Sequence, residues 1–314
     1  MSLGPCPQTL QDYRTLIDGE LERFIRPERN MPEEYGLALR AAVTSPGKRI
    51  RPTITLLMCQ ASGGCLTSAL RTAVSIELLH AATLIYDDIV DGDLSRRGEP
   101  SLHARFGNDL AMMVAGLITT RALFPIIENH GLARATLETM NDVGIGEILD
   151  IKGEVSTRED YFSLVGRKTA ALFQLSAEAG AMCAEATVDH RMLCGAYGLN
   201  VGIMFQIRDD VLDVTGNMAD RDESVNSDVI NCRPSIVSIL AGESLKVAPL
   251  DLSTALGALG SDESTARLQR ACDSAMNLGR HYADRAEALL IKFRPTRHRE
   301  LLQEVLQLAM KRQC

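Results

Sequence analysis

Apolar residues recur about every three to four positions along almost the whole chain, the spacing of amphipathic and buried helices. No segment alternates apolar and polar residues in the manner of a β-strand. Glycine and proline interrupt the helical pattern, and good helix formers such as alanine, leucine and glutamate dominate between the breaks. The pattern predicts helices over 8–25, 33–43, 50–61, 66–92, 109–129, 131–151, 158–185, 188–216, 233–242, 262–293 and 297–312.

Two stretches, Thr72–Val90 and Ala170–Met182, are apolar on more than one face of their predicted helices. A helix that is apolar all round is buried among other helices. We therefore expect an all-α fold, a large helical bundle whose central and peripheral helices surround a central cavity. The sequence has no low-complexity linker and no short repeat, which favours a single all-helical domain over residues 1–314.

The composition excludes several classes of protein. Hydrophobic residues make up 46% and charged residues 24% of the chain, and the net charge of −8 does not favour binding to nucleic acid. No apolar segment has the length of a signal peptide core or a membrane span, so we expect a soluble, cytoplasmic protein without a stable membrane anchor. None of the eight cysteines has the close spacing of a zinc site, and most are expected to be small core residues.

Two acidic patterns of the form DDxxD follow long apolar helices. The first aspartate cluster consists of Asp87, Asp88 and Asp91, and the second consists of Asp209, Asp210 and Asp213. Residues four apart share one face of a helix, so Asp87 lies beside Asp91. The same spacing places Asp209 beside Asp213.

Carboxylates gathered next to apolar sequence repel one another and lose solvation unless protons, basic side chains or cations compensate them. One such cluster is weak evidence, because a solvated helix end explains it equally well. Two clusters with the same spacing favour a different interpretation. Carboxylate and phosphate oxygens are ligands that magnesium prefers, so clusters that face each other would hold magnesium ions and clamp a diphosphate.

Three basic segments are candidates to complete a diphosphate site. The segment Ser45–Pro52 is a turn followed by three cations, which is either an ordinary basic loop or an anion site. Arg96–Gly98 directly follows the first aspartate cluster, and its arginines are either salt-bridge partners or phosphate ligands. Arg167–Thr169 lies inside an apolar helix, where a lysine either reaches the surface or contacts a diphosphate.

These motifs resemble those of the trans-prenyl diphosphate synthases, the polyprenyl synthetase family. The matching segments are GKRIRP at 47–52, ELLHAATLIYDDIVDGDLSRRG at 77–98, RKT at 167–169 and FQIRDDVLD at 205–213. Their order and spacing match over roughly residues 45–240, and the combination is highly specific. The resemblance implies an isoprenoid synthase-like bundle that joins an allylic diphosphate to isopentenyl diphosphate.

The resemblance also implies a role for each matched residue, with the six aspartates and Lys168 as the catalytic residues. Those implied to bind about three magnesium ions are Asp87, Asp88, Asp91 and Asp209, supported by Asp210 and Asp213. Those implied to hold the allylic diphosphate are Arg96, Lys168, Thr169 and Gln206. Those implied to hold isopentenyl diphosphate are Lys48, Arg51, His80 and Arg97.

The length of the product is predicted from the helix that carries Asp87, because in this family the growing chain extends along it away from the metal. The residues one turn before the cluster, Ala82 and Thr83, form the floor of the chain's path and are small. An aromatic residue at this depth would stop elongation early. We therefore expect geranylgeranyl diphosphate or a longer product. Deeper stops would be Ile76 and Leu79, or Met112 or Met113 on a neighbouring helix.

The sequence departs from the family pattern at two places and leaves alternatives open. Leu117 stands where relatives carry an aspartate, and Glu223 stands where they carry a lysine. These changes favour a second hypothesis, a weakly active regulatory subunit. A class I terpene cyclase is a third hypothesis, but the chain has no tryptophan to line a cation pocket. Apolar faces in the N-terminal half predict a homodimer.

Overall fold

The computed structural model describes residues 7–25, 31–215, 235–245, 252 and 261–310, and these residues are almost entirely helical. The predicted all-α fold is confirmed. The helices are α1 Leu10–Phe24, α2 Glu33–Thr44, α3 Ile50–Ala61, α4 Leu66–Asp91, α5 Leu102–Phe106, α6 Asn108–Leu123, α7 His130–Lys152, α8 Arg158–Val165, α9 Ala171–Cys183, α10 Val188–Thr215, α11 Ile236–Leu245, α12 Ser261–Leu290 and α13 Arg297–Met310.

Local side chains explain where several helices begin and end. Thr9 caps α1 and Thr157 caps α8, each by a capping box with the aspartate three residues later. The helix α4 ends at Gly92, whose φ of 70° places it in the left-handed region that glycine tolerates. Because Gly92 directly follows Asp91, the first aspartate cluster occupies the last turn of α4.

Three predictions of secondary structure were wrong in detail. The helix predicted over 109–129 ends at Leu123, because Pro125 cannot donate a backbone hydrogen bond and its ring obstructs the preceding turn. Two short antiparallel strands, β1 Ser95–Arg96 and β2 Glu99–Pro100, form a hairpin that the sequence pattern did not predict. The short helix α5 was also not predicted.

The helix predicted over 158–185 is three pieces. A π-helical turn, Gly166–Ala170, separates α8 from α9. Such a turn contains one residue more than an α-helical turn and often marks a functional site. Here it contains the basic motif Arg167–Thr169.

The described residues belong to two compact units, neither of which is a continuous piece of chain. The first unit takes its residues from 1–136, 176–194 and 293–305, and the second from 137–175, 195–292 and 306–314. The single domain expected over 1–314 stays a prediction. In the first unit α4 packs against α3 and α6, and most of its side chains before Asp87 are buried.

The second unit has its own apolar core. Tyr161 of α8, Ile207 of α10, Ile236 and Ile239 of α11 and Ala275 of α12 are buried together there. Burial of a large apolar side chain contributes about 1.5–3 kcal/mol to folding, so this cluster fixes the four helices against one another. In the described part of the chain, no helix combines the length and apolarity needed to cross a membrane.

Candidate active site

The first aspartate cluster divides between two faces of α4. Asp87 and Asp91 lie one turn apart on the same face and are both half-buried. Asp88 lies on the neighbouring face and is buried. The residues predicted to act together as metal ligands therefore have different surroundings.

Asp88 forms an ion pair with Arg96. Its Oδ1 lies 2.5 Å from both Nε and Nη2 of the arginine. Burial raises the pKa of Asp88 above its usual value, and Arg96 opposes that shift. The β1–β2 hairpin returns the chain toward α4 and holds Arg96 in this position, with Arg97 and Gly98 at positive φ in its two-residue turn.

In the basic segment before α3, Arg49 has a structural role. Arg49 has a φ of 51°, is buried, and donates to Asp18 and Glu77, each at 2.8 Å. It also donates to the backbone oxygens of Val43 and Ser45, so this arginine holds the turn in place from within. The structure thereby identifies Arg49 and Glu77 as structural members of this region, which the sequence motif alone did not distinguish.

Arg51 and His80, both predicted to bind isopentenyl diphosphate, contact each other. Arg51 Nη1 lies 3.1 Å from His80 Nε2. Arginine can only donate, so Nε2 accepts and the ring proton lies on Nδ1. Burial and the neighbouring cations, Arg51 and Arg97 first among them, lower the pKa of His80 well below its usual value. His80 is therefore neutral at physiological pH.

A cavity of about 230 Å³ in the first unit brings several predicted residues together. Its lining includes His80, Arg96, Arg97 and Asp88, together with Glu77. Arg97 Nη1 donates to the backbone oxygen of Pro46, which ties the hairpin to the basic loop. The cavity is rich in cations, as an anionic ligand such as a diphosphate requires.

The second aspartate cluster also divides between two faces, here on α10. Asp209 and Asp213 share one half-buried face. Asp210 is buried and accepts hydrogen bonds from Tyr161 Oη at 2.8 Å, Gln206 Nε2 at 2.9 Å and Ile236 N at 2.9 Å. Burial raises the pKa of Asp210 to about 6 despite these donors. Asp210 thus joins α8, α10 and α11.

The π-helical turn presents Lys168 and Thr169 to neighbouring helices of the second unit. Lys168 Nζ lies 2.6 Å from Asp150 Oδ2 and 2.8 Å from Glu147 Oε2, both on α7. Thr169 Oγ1 donates to Gln206 Oε1 at 2.8 Å. The lysine is partly buried, and its ammonium group lies between these two carboxylates.

Glu147 and Asp150 were missed by the sequence analysis. Their signal is visible in hindsight, because two carboxylates three residues apart share one face of α7. Nothing in the local pattern connects that face with Lys168, which lies 18 residues after Asp150. The connection depends on how α7 packs against the π-helical turn.

The carboxylate oxygens of the two clusters are hard donors that suit magnesium. Among the described residues, no three histidine, cysteine, aspartate or glutamate side chains group closely enough to hold a metal ion by themselves. Glu223 lies outside the described residues, and Leu117 is partly exposed on α6.

The floor residues lie four and five positions before Asp87 on α4. Thr83 shares the face of Asp87 and Asp91, since it precedes Asp87 by four residues. It lies about 6 Å below Asp87 along the helix axis. Ala82 is 1% exposed and lies on the adjacent face.

The chain is similar to known proteins over most of its length. The polyprenyl synthetase family model matches residues 32–276. The short chain isoprenyl diphosphate synthase of Methanothermobacter thermautotrophicus is 31% identical over 81% of this chain and 80% of its own length. The geranylgeranyl diphosphate synthase of Methanosarcina mazei is 29% identical over 97% of both chains.

The chain is also similar to a solved structure. The polyprenyl synthase from Caulobacter crescentus CB15, complexed with calcium and isoprenyl diphosphate, has a TM-score of 0.82 and 25% identity, covering 99% of this chain and 100% of that one. The family match extends over well more than half of the chain and includes each of the motifs described above. This chain therefore belongs to the polyprenyl synthetase family and is a prenyltransferase.

Proposed function

We propose that this protein condenses an allylic diphosphate with isopentenyl diphosphate and releases diphosphate, with a product longer than farnesyl diphosphate. The observation that carries the proposal is the cation-rich cavity at His80, Arg96 and Arg97, next to the first aspartate cluster. Similarity to synthases over most of the chain supports the same reaction.

Magnesium, when bound, supplies positive charge that stabilises the leaving diphosphate. We assign its ligands to Asp87, Asp91 and Asp209, with Asp88 as a further ligand, as the family resemblance implies. Asp88 is paired with Arg96, and binding of the allylic diphosphate would divide Arg96 between this carboxylate and the substrate. Within the second cluster, Asp210 and Asp213 support Asp209.

Lys168 and Thr169 bind the allylic diphosphate together with Gln206. The lysine is held by Glu147 and Asp150, so its ammonium group is already positioned when the substrate arrives. Such preorganisation is effective because the charge need not be moved into place as the C–O bond breaks.

Lys48, Arg51, His80 and Arg97 bind isopentenyl diphosphate. His80 is neutral and its Nε2 accepts from Arg51, so it orients the guanidinium without adding charge. Arg51 and Arg97 then supply the positive charge that the diphosphate needs.

The chemistry follows from these positions. The allylic C–O bond ionises, the double bond of isopentenyl diphosphate attacks the allylic cation, and a proton leaves to the released diphosphate. No protein base is required, and Nε2 of His80 already accepts a hydrogen bond from Arg51. A site that excludes water would protect the allylic cation.

Ala82 and Thr83 are small side chains on the helix that carries Asp87, which supports a geranylgeranyl or longer product. A relative that matches this chain over 97% of both lengths is a geranylgeranyl diphosphate synthase. We further propose a homodimer, because α6 presents Met112, Met113 and Leu117 on its exposed side, with 45%, 63% and 39% of their surfaces accessible. Apolar surface of this kind typically marks a protein interface.

The experiment that tests the function is elongation by the purified protein. The protein is incubated with magnesium and isopentenyl diphosphate, and with dimethylallyl, geranyl, farnesyl or geranylgeranyl diphosphate in separate reactions. Products are sized by mass spectrometry, and the Asp87→Asn/Asp91→Asn double variant serves as the inactive control. Elongation beyond farnesyl diphosphate is expected.

A folded protein that elongates no primer would overturn the proposal and favour a regulatory subunit. Cyclic hydrocarbons without elongation would favour a terpene cyclase instead. Elongation that stops at farnesyl diphosphate would support the reaction but contradict the assignment of the small floor.

A further inference from the structure

The π-helical turn, Gly166–Ala170, is held from two sides by helices of the second unit. It presents Lys168 toward α7 and Thr169 toward α10. A π-helical turn does not repeat the hydrogen-bond pattern of its flanking α-helices, so its backbone position depends on what packs against it. Two glycines, one on each neighbouring helix, lie close to it.

On the α7 side, Gly146 faces the backbone of Lys168. A methyl group added to Gly146 would lie 2.6 Å from Lys168 N, 2.8 Å from its Cα and 3.0 Å from its Cβ. These are backbone atoms or the atom next to them, so rotation of a flexible side chain cannot relieve the overlap. Only glycine permits α7 to approach this closely.

On the α10 side, Gly202 faces Ala170. A methyl group added to Gly202 would lie 2.6 Å from the Cα of Ala170 and 2.9 Å from its Cβ. The turn therefore lies between two helices, each of which approaches it closely at a glycine.

Each glycine lies four residues before a side chain that contacts the turn. Gly146 precedes Asp150, which contacts Lys168 Nζ, and Gly202 precedes Gln206, which contacts Thr169 Oγ1. Residues four apart share a helix face. In each case, therefore, the close approach at the glycine and the polar contact one turn later involve the same helix surface.

We infer that Gly146 and Gly202 are positioning residues for the allylic diphosphate: they fix the backbone of the π-helical turn so that Lys168 and Thr169 reach the substrate. This inference rests on the proposed function. The glycines act through the turn and touch no substrate. Misplacement of a binding group by about 1 Å lowers catalytic efficiency by up to about 100-fold, so small shifts of this turn matter.

The test compares Gly146→Ala with Gly144→Ala. Both substitutions are on α7 and have the same chemistry, but a methyl group on Gly144 would meet nothing within 4 Å. We expect Gly146→Ala to lower kcat/KM for the allylic diphosphate about 10- to 100-fold and to leave KM for isopentenyl diphosphate within about twofold. Gly144→Ala is expected to change neither. Equal behaviour of the two variants, or an equal rise of both KM values in Gly146→Ala, would overturn the inference.

A double-mutant cycle separates positioning from a general loss of stability. In a Lys168→Met background the ammonium group that Gly146 positions is already absent. Gly146→Ala should therefore lower kcat/KM for the allylic diphosphate much less there than in the native background. Fully additive effects would contradict the inference. If Gly146→Ala does not fold, Ala170→Gly loosens the same turn from the α10 side without adding an atom, and it should also selectively lower kcat/KM for the allylic diphosphate.

Direct binding distinguishes failure of this inference from failure of the proposed function. Calorimetry with farnesyl S-thiolodiphosphate, a non-reactive allylic analogue, is expected to show about tenfold weaker binding to Gly146→Ala than to the native protein or Gly144→Ala. A native protein that binds the analogue but does not elongate would refute the proposed function and leave the positioning role standing. A native protein that does not bind the analogue would refute both.

Discussion

Arg49 Nη1 lies 2.8 Å from Glu77 Oε1, and both side chains are only 8% exposed. Burial alone would lower the pKa of Arg49, but Glu77 and Asp18 outweigh it and raise the pKa above its usual value. The pair links the basic loop before α3 to the middle of α4, one turn before His80. It therefore supports the region that is proposed to bind isopentenyl diphosphate.

Removal of the Glu77 charge should destabilise the protein. In Glu77→Gln the buried Arg49 keeps only Asp18 as a charged partner, and we expect a loss of about 2–3 kcal/mol in the free energy of unfolding. Urea denaturation measures this. The control is Arg158→Gln, which breaks the exposed Arg158–Glu243 pair and should cost less than about 1 kcal/mol. Equal losses of unfolding free energy in the two variants would contradict a structural role of the buried Arg49–Glu77 pair.

Asp87 and Asp91 should be required for the response to magnesium. Asp87→Asn or Asp91→Asn is expected to raise the magnesium concentration that gives half-maximal velocity and to lower kcat about 100-fold or more, because a ligand charge is lost beside the leaving group. Steady-state kinetics over a magnesium titration measure both effects.

The matched control for these variants is Asp93→Asn, which removes an exposed carboxylate just beyond the end of α4. It should leave the magnesium titration close to that of the native protein. A control that behaves like Asp87→Asn would mean that general negative charge, and not the shared face of Asp87 and Asp91, determines the response.

Thr83→Phe should shorten the product. The new ring would lie on the face of Asp87, about 6 Å along α4, and would fill the path of the growing chain. Mass spectrometry of the products is expected to show mainly farnesyl diphosphate or shorter chains. Thr67→Phe, at the exposed N-terminal end of the same helix, should leave product length unchanged. Unaltered products from Thr83→Phe would place the chain's path elsewhere.

Cys65 should be the most readily alkylated cysteine of the described residues. It is exposed at the start of α4, and a hydrogen bond from Thr67, aided by the backbone of Ser68, lowers its pKa to about 7. The thiolate is the reactive form, so its alkylation rate should rise with pH, reach half its maximum near pH 7 and level off about one to two units higher.

Peptide mapping by mass spectrometry after brief treatment with iodoacetamide measures the rate at Cys65 itself. Burial raises the pKa of Cys59 and of Cys272 to about 11, so both should remain largely unmodified. Thr67→Val removes the main hydrogen bond and should move the midpoint to higher pH. An unchanged midpoint would contradict the assigned cause.

The proposed homodimer is tested by measuring the molar mass of the native protein in solution. The native protein should have twice the 34.2 kDa of one chain by light scattering. Met113→Asp places a charge in the middle of the exposed apolar side of α6 and should dissociate the dimer. Gln269→Asp, which adds the same charge to an exposed position on α12, should not. A monomeric native protein would refute the proposal.

The sequence by itself determined the elements and the motifs of this protein. Helical periodicity is a local property, so the buried helix α4 and the four-residue spacing of Asp87 and Asp91 could be recognised from the order of residues alone. The end of α6 before Pro125 was also open to local reasoning, and it was missed because the apolar pattern continues past the proline.

Only the tertiary structure decided which partner each polar residue meets. Arg49 pairs with Glu77 across 28 positions, and Lys168 meets Asp150 because glycine lets α7 approach the π-helical turn. The π-helical turn itself interrupts a sequence that is consistent with one continuous helix. Such contacts depend on the packing of segments far apart in the chain, and no local periodicity contains that information.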